Sequence, residues 1–405
     1  MRAGAVAAAT LPLLRERRAQ ATASSTRPRF YLQIIPQGGM DAVYATDPKT
    51  VANVDPGIDI PFAPNAIVNG LGPAFGALAR WTPRLAIVNA FRQNSANHLS
   101  GLANVMRCKS NPSRTTPSLL EILGARRQDE ATGAVSIGAV MTSGYSPAYL
   151  GEPSETSFGN RPGLLEHLDT TDREDLVELA KTLRREAQPL TGSRASATEQ
   201  VTADNLLASA ELFARAAETP KFAPVGWDHP LEGHYHNGRD LQRALWLFEN
   251  KLTRCVTMCF GNQDFDTHTW NQNQAPLIEY LGFTLDKLFT ELERRTVGGK
   301  KLSEQTVVFV GSEIGRFPKL NSAHGKDHFP QCPHLFYGPG LATGATYGAT
   351  GRNMASLPIS LTTGKPDRGG HLLRVDDIGT TLLALDGANP ELYGYGGERL
   401  HFLEA

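Results

Sequence analysis

Residues 306–316 read T-V-V-F-V-G-S-E-I-G-R. Thr306 to Val310 are all apolar or β-branched, the composition of a strand buried on both faces in a parallel sheet. Gly311 ends the run, and Ser312 and Glu313 follow at once. Such a strand carries a hydroxyl and a carboxylate to the sheet edge, where open α/β folds bind ligands. Working outward, Phe30–Pro36 (FYLQIIP), Leu85–Asn89 (LAIVN), Val135–Met141, Cys255–Phe260 (CVTMCF) and Leu335–Tyr337 read as further strands. Between them, helical spacing marks residues 69–80, Leu99–Arg107, Ser118–Gly124, Asp240–Glu249, Leu277–Arg295 and Asp376–Leu385. Arg173–Glu186 and Thr198–Ala217 are charged helices of an outer, solvated layer. Strands alternating with helices predict an α/β fold: three layers, α/β/α, around a largely parallel central sheet. Residues 22–405 read as one such domain, with a helical insertion around residues 150–250.

The 405 residues carry a formal net charge of -1, which recommends neither nucleic acid nor an anionic membrane as partner. The 39 Gly and 26 Pro are spread along the chain, as in a loop-rich globular fold. No apolar run reaches the ~20 residues of a membrane span, so no transmembrane segment is expected. Residues 1–21 differ from the rest. The apolar stretch Ala3–Leu14 precedes Arg15, Arg17 and Arg18, then Ala19-Gln20-Ala21, the outline of a signal segment with its cleavage site. It resembles the middle of a twin-arginine leader, which predicts a natural start further upstream and an exported protein, periplasmic or extracellular. A disordered or helical extension is the other reading. Cys108, Cys255, Cys259 and Cys332 would permit two disulfides, but Cys255 and Cys259 sit in an apolar run and read better as buried small hydrophobes.

Polar residues follow four of the predicted strands: Asp41, the segment Asn94–His98, Asp264–His268, and Ser312-Glu313. In residues 261–272, GNQDFDTHTWNQ, Asp264 and His268 stand four apart with Asp266 between them. A carboxylate with a neutral imidazole is a ligand pair for borderline and hard divalent cations. A polar loop capping a helix near Trp270, with Asp266 or Thr267 as N-cap, accounts for the same residues. In residues 311–330, GSEIGRFPKLNSAHGKDHFP, Glu313 should sit at the sheet edge. Arg316 could hold an oxyanion or pair with Glu313. Asp327 and His328 come before the next strand, and a surface Asp–His turn is their structural alternative. His324 reads as part of the flexible loop. His234 and His236 alternate as in a strand or a polar loop, and His371 reads as a strand start. His167, His229, His334 and His401 match no motif.

The blocks GGMDAVYATDP, DFDTHTWNQ, SEIGRFPKLN…GKDH and GPGLATGATYGAT, in this order, resemble the exported bacterial family known as domain of unknown function 1501. That family is similar in turn to the superfamily of alkaline phosphatases, sulfatases and cofactor-independent phosphoglycerate mutases. The resemblance implies an alkaline-phosphatase-like fold and one or two divalent metal ions (Zn, Mn, Ca or Mg). It implies metal roles for Asp41, Asp264, His268, Glu313, Asp327 and His328. Ile314 stands where the superfamily has a histidine ligand, which implies that one of two metal sites is damaged. The nucleophile would lie in NSANHLSG, with Ser95 and Ser100 as hydroxyls, and Asn97 cannot take the part. His98 would act as ligand or base, and Arg316 would complete the catalytic set. A metal-dependent hydrolase of phosphate or sulfate esters follows, acting on a small anionic ester or an extracellular polymer. A catalytically degenerate exported binding or assembly protein on the same scaffold competes with it. A metal-free carbohydrate-processing protein has no motif of its own here.

Overall fold

A computed structural model describes residues 27–61, 67–113, 116–125, 140–141, 172–191 and 195–405. The leader-like segment, His167 and most of the predicted strand 135–141 lie outside these residues. Seven strands form the central sheet: β1 (Phe30–Pro36), β2 (Leu85–Arg92), β3 (Val140–Met141), β4 (Cys255–Phe260), β5 (Thr306–Gly311), β6 (Gln331–Tyr337) and β7 (Ala345–Tyr347). Their order across the sheet is β7-β2-β6-β5-β1-β4-β3. β1 pairs in parallel with β4 and β5, β3 with β4, and β7 with β2. Only β6 runs against its neighbours, β2 and β5. The sheet is thus largely parallel, as the continuous apolar runs required.

Every residue of β1, β4 and β5 is buried. The strand period of two splits their side chains between two layers. Phe30, Leu32, Ile34, Val308 and Val310 face one core, shared with α5 (Asn237–Glu249) and α6 (Gln274–Arg294). Tyr31, Val307 and Phe309 face the other, shared with α2 (Leu119–Ala125) and α7 (Val375–Leu385). Each such Leu, Ile, Val or Phe contributes about 1.5–3 kcal/mol by leaving water, which fixes the strand register and therefore the strand ends. The charged helices α3 (Arg173–Ala187) and α4 (Ala197–Glu218) pack on each other. The predicted helix at residues 69–80 is a 3-10 helix, Pro73–Arg84. All four cysteines are buried. No helix of the described residues is long and apolar enough to cross a membrane.

The parallel strands end at one edge, at Pro36, Arg92, Phe260 and Gly311, and the start of β6 faces Arg92 there. Beyond β5 the chain makes a two-residue strand, Gly315–Arg316, that pairs antiparallel with His328–Phe329 just before β6. This return brings both ends of the 311–330 segment to the same edge. α1 (His98–Arg107) starts at that edge too. Asn97 caps it, its Oδ1 accepting from the backbone N–H of Leu99 (3.0 Å) and Ser100 (3.3 Å). The buried Gln33 of β1 donates to the Val105 carbonyl at 2.8 Å, tying α1 to the sheet.

Two expectations about local structure need correction. The helix after Trp270 has neither Asp266 nor Thr267 as its cap: a 3-10 turn, Asn271–Asn273, leads into α6, and Trp270 precedes it in the left-handed region. The Thr267 hydroxyl instead donates to Asn271 Oδ1 at 2.8 Å. His234 and His236 are not in extended chain. Glu232–Tyr235 forms one helical turn, and His236 takes a left-handed conformation before α5.

Candidate metal centre

Four side chains from three segments meet at the strand-end edge. His98 opens α1, Asp266 and His268 follow β4, and His328 precedes β6. His98 Nε2 lies 3.2 Å from Asp266 Oδ2, and His268 Nε2 lies 3.2 Å from Asp266 Oδ1. His328 Nε2 is 3.4 Å from that same Oδ1 and 2.9 Å from His268 Nε2. Ligand atoms held about 2.0–2.2 Å from a tetrahedral cation stand roughly 3.3–3.6 Å from one another. Three of the four distances fall close to that spacing, and the His268–His328 contact, at 2.9 Å, is shorter. His98, Asp266 and His328 bring three ligand atoms within 4.8 Å of one another, and His268 adjoins that group through Asp266 and His328.

The outer nitrogens decide what the inner ones can do. His328 Nδ1 is 2.7 Å from the Ala96 carbonyl, which can only accept, so Nδ1 carries the proton. Burial, against the Ala96 contact, holds the His328 imidazole below its ordinary range, and its Nε2 is left with a lone pair. His98 Nδ1 is 2.9 Å from Glu313 Oε1, and His268 Nδ1 is 3.3 Å from Asp327 Oδ1. Carboxylate or carbonyl on the outer nitrogen and an open inner nitrogen is the arrangement that orients metal-binding histidines. His98 Nε2 is buried and, though near Asp266, is not aligned for a hydrogen bond. The His328 Nε2 lone pair can be met in two ways, by a proton on His268 Nε2 at 2.9 Å or by a cation.

Arg316 holds Asp266 from behind. Its side chain is wholly buried, and its Nη2 pairs with Asp266 Oδ1 and the Gly38 carbonyl. Nε and Nη1 donate to the carbonyls of Gly39 (3.2 Å) and Lys326 (3.0 Å). Burial works to raise the Asp266 carboxyl, but His98 and Arg316 outweigh it and keep it well below the carboxylate range. Asp266 and then Glu313 push His98 up to about 9, against burial. Without a cation the centre is therefore an imidazolium–carboxylate–guanidinium network, and that proton and a metal are alternatives at His98.

Two glycines set where the 263–269 turn can lie. A Cβ on Gly38 would come 2.3 Å from the Asp266 backbone nitrogen, and one on Gly325 would come 2.0 Å from the His268 carbonyl carbon. Within the turn, the backbone N–H of Asp266 donates to Gln263 and that of His268 to Asp266 itself. The winding is too tight for a helix, so residues two apart, not four apart, converge.

The other predicted site residues sit as follows. Asp264 Oδ2 accepts from the Tyr235 hydroxyl at 2.5 Å, away from the histidines' mutual contacts. Asp41 is buried, and its carboxylate takes Lys326 Nζ (2.7 Å), Asn271 Nδ2 (2.9 Å) and the Val43 N–H (3.0 Å). Glu313 and Asp327 stand behind histidines rather than among the inner atoms, and Glu313 Oε1 also accepts from the Gly38 N–H at 2.7 Å. The direct ion pair of Arg316 is with Asp266, not Glu313. Ser95 Oγ is 2.5 Å from Ser100 Oγ and accepts from the Asn97 N–H at 3.1 Å, so it belongs to the cap of α1. Asp266, read from sequence only as a cap, is the carboxylate at the centre. The visible signal was its place beside a histidine in the Asp-Thr-His triplet.

The chain belongs to the family described as "Protein of unknown function (DUF1501)", whose model matches residues 31–391. No curated protein matches it. Structural neighbours include alkaline phosphatase/sulfatase superfamily members. Ps i-CgsB in complex with k-i-k-neocarrahexaose is 13% identical, with 92% of this chain and 75% of that one covered and a TM-score of 0.42. The lipoteichoic acid synthase LtaP from Listeria monocytogenes is 9% identical, with 98% and 82% covered and a TM-score of 0.43. A protein in the alkaline phosphatase superfamily from Vibrio parahaemolyticus is 12% identical, with 97% and 78% covered and a TM-score of 0.35.

Proposed function

We propose that this chain is a metal-dependent hydrolase of phosphate or sulfate esters, its cation held by His98, Asp266, His268 and His328. The observation that carries the reading is the His328 Nε2 lone pair, aimed at His268 Nε2 and Asp266 Oδ1 with no hydrogen of its own to offer. Three imidazole nitrogens and one carboxylate suit Zn²⁺ or Mn²⁺ better than Mg²⁺ or Ca²⁺, which prefer oxygen throughout. Bound there, the cation supplies positive charge for an anionic ester and lowers the pKa of a water molecule.

The chain's own residues do the positioning. Arg316 fixes Asp266, the Ala96 carbonyl fixes His328, and Glu313 and Asp327 orient His98 and His268. The Ser95 hydroxyl is engaged in the α1 cap, so we assign it no nucleophilic role. Export is part of the same reading, on the leader-like pattern of residues 3–21 alone.

One observation favours the second reading, a binding or assembly protein on the same scaffold. Ile314, at the expected place of a further histidine, is completely buried, and among the described residues one His/Asp group has the spacing for a cation. Titrating the chelator-stripped chain with Zn²⁺ and Mn²⁺, while following 4-nitrophenyl phosphate and 4-nitrophenyl sulfate, separates the two. One cation per chain and cation-dependent release of nitrophenol are expected. Cation binding without turnover of either ester would favour the scaffold, and no binding of either cation would overturn the metal centre.

A further inference from the structure

Beside the centre stands an aromatic surface that the metal reading does not use. Trp270 is 54% exposed, and its indole stacks on the His324 imidazole, with ring centroids 5.4 Å apart and planes at 20°. Both residues occupy the left-handed region, at φ 53° and φ 57°. Side chains other than glycine rarely hold that conformation, and its appearance in two stacked neighbours points to a constraint imposed from outside each residue. Backbone pairing supplies it: Thr269 bridges His324, the Trp270 N–H donates to Ala323 and the Asn271 N–H donates to His324 at 2.8 Å. Asn321 Nδ2 adds a bond to the His268 carbonyl at 3.0 Å. The indole is therefore held out into solvent on a fixed mount and is not a loose surface side chain.

Its position is tied to the centre. Trp270 lies two residues from His268, so their Cα atoms are at most about 7 Å apart. His324 lies four residues before His328. Among the exposed chain neighbours, Thr269, Gln272, Asn273 and Ser322 are hydroxyls and amides, and the exposed charges, Asp266 and Asp327, are carboxylates on the side of the centre. A flat indole with hydroxyl and amide groups beside it matches a ring with an apolar face and hydroxyl edges. It does not match a second anion, which the exposed carboxylates Asp266 and Asp327 would repel.

We propose that Trp270, backed by His324, is a stacking platform for the sugar ring of a glycan ester whose anionic group reaches the histidine–aspartate centre. The inference rests on the hydrolase reading of that centre and names its substrate class. Rigid stacking surface costs little conformational freedom on binding, so the platform acts on substrate affinity more than on the chemical step.

The test uses the Zn²⁺- or Mn²⁺-loaded full chain with sulfated dextran oligosaccharides, unsulfated dextran oligosaccharides and 4-nitrophenyl sulfate. Trp270→Ala should raise KM for the sulfated oligosaccharides about tenfold, with kcat within twofold, and Trp270→Phe should restore most of the loss. Hydrolysis of 4-nitrophenyl sulfate should be the same in all three proteins. Calorimetric binding of the oligosaccharides that Trp270→Ala weakens would support the platform even if no ester is hydrolysed, in which case the hydrolase reading alone fails. Oligosaccharide binding and turnover indifferent to Trp270→Ala, in protein whose 4-nitrophenyl sulfate activity is intact, would overturn the platform alone. Neither binding nor turnover of any oligosaccharide by the wild-type chain would overturn it as well.

Discussion

Lys326 and His328 are two residues apart and serve opposite kinds of cluster. Lys326 is completely buried between Asp41 (2.7 Å) and Asp59 (3.1 Å), and Asp41 has further donors in Asn271 and Val43. The Asp41 carboxylate is used up within the protein by these three donors. Around His328, three inner nitrogens and a carboxylate face each other with few hydrogens among them, while every outer nitrogen is satisfied. Both clusters contain acids that follow strands, and from sequence Asp41, which follows β1, reads as a ligand alongside the residues that follow β4. The difference teaches that a ligand is recognised by capacity left unspent, not by residue type at a strand end.

The largest effect should come from breaking the closed cluster. Lys326→Met leaves the buried Asp41 and the partly buried Asp59 without their cation, and such losses cost about 3–5 kcal/mol. Urea denaturation of the metal-free chain measures it, and a change below about 1 kcal/mol would mean that the pair is not the strut described. The open cluster should respond through metal instead. His328→Ala is expected to weaken Zn²⁺ binding by more than about 100-fold, or roughly 2.7 kcal/mol, with a smaller change in metal-free stability. Equal losses in both measurements would erase the contrast. The smallest effect should follow Glu313→Gln, which keeps a hydrogen-bond acceptor for His98 but removes its charge. A loss of 10–100-fold in affinity is the range for outer partners of metal-bound histidines. Affinity falling as far as with His328→Ala would move Glu313 into the inner set.

Much of the fold was legible because it rests on composition over several residues. TVVFV, FYLQIIP and CVTMCF are strands that tolerate little else, and the long amphipathic helix 274–294 follows from its spacing. The edge at which the site lies was legible for the same reason. The choice of carboxylate was not. Asp264 and His268 suggest a pair from their residue types and from the asp-x-x-x-his spacing that the family resemblance implies. Here the chain turns within two residues, from Asp266 to His268, under hydrogen bonds that the letters do not show. The partner of Arg316 was hidden likewise: it meets Asp266, 50 residues away, and not Glu313, three residues away. The role of Asp41 depended on Lys326, 285 residues distant.

Gly38 and Gly325 carry a consequence for how this chain can vary. Each abuts the backbone of the turn that holds Asp266 and His268, and neither offers a polar atom from a side chain. A methyl group at either position would have to displace the turn, and with it two of the four inner side chains, while leaving every charged residue in place. A survey of variants that scored only acids and histidines would pass such a chain as intact. Whether the centre survives in a relative can be judged first at these two positions, where a side chain is forbidden.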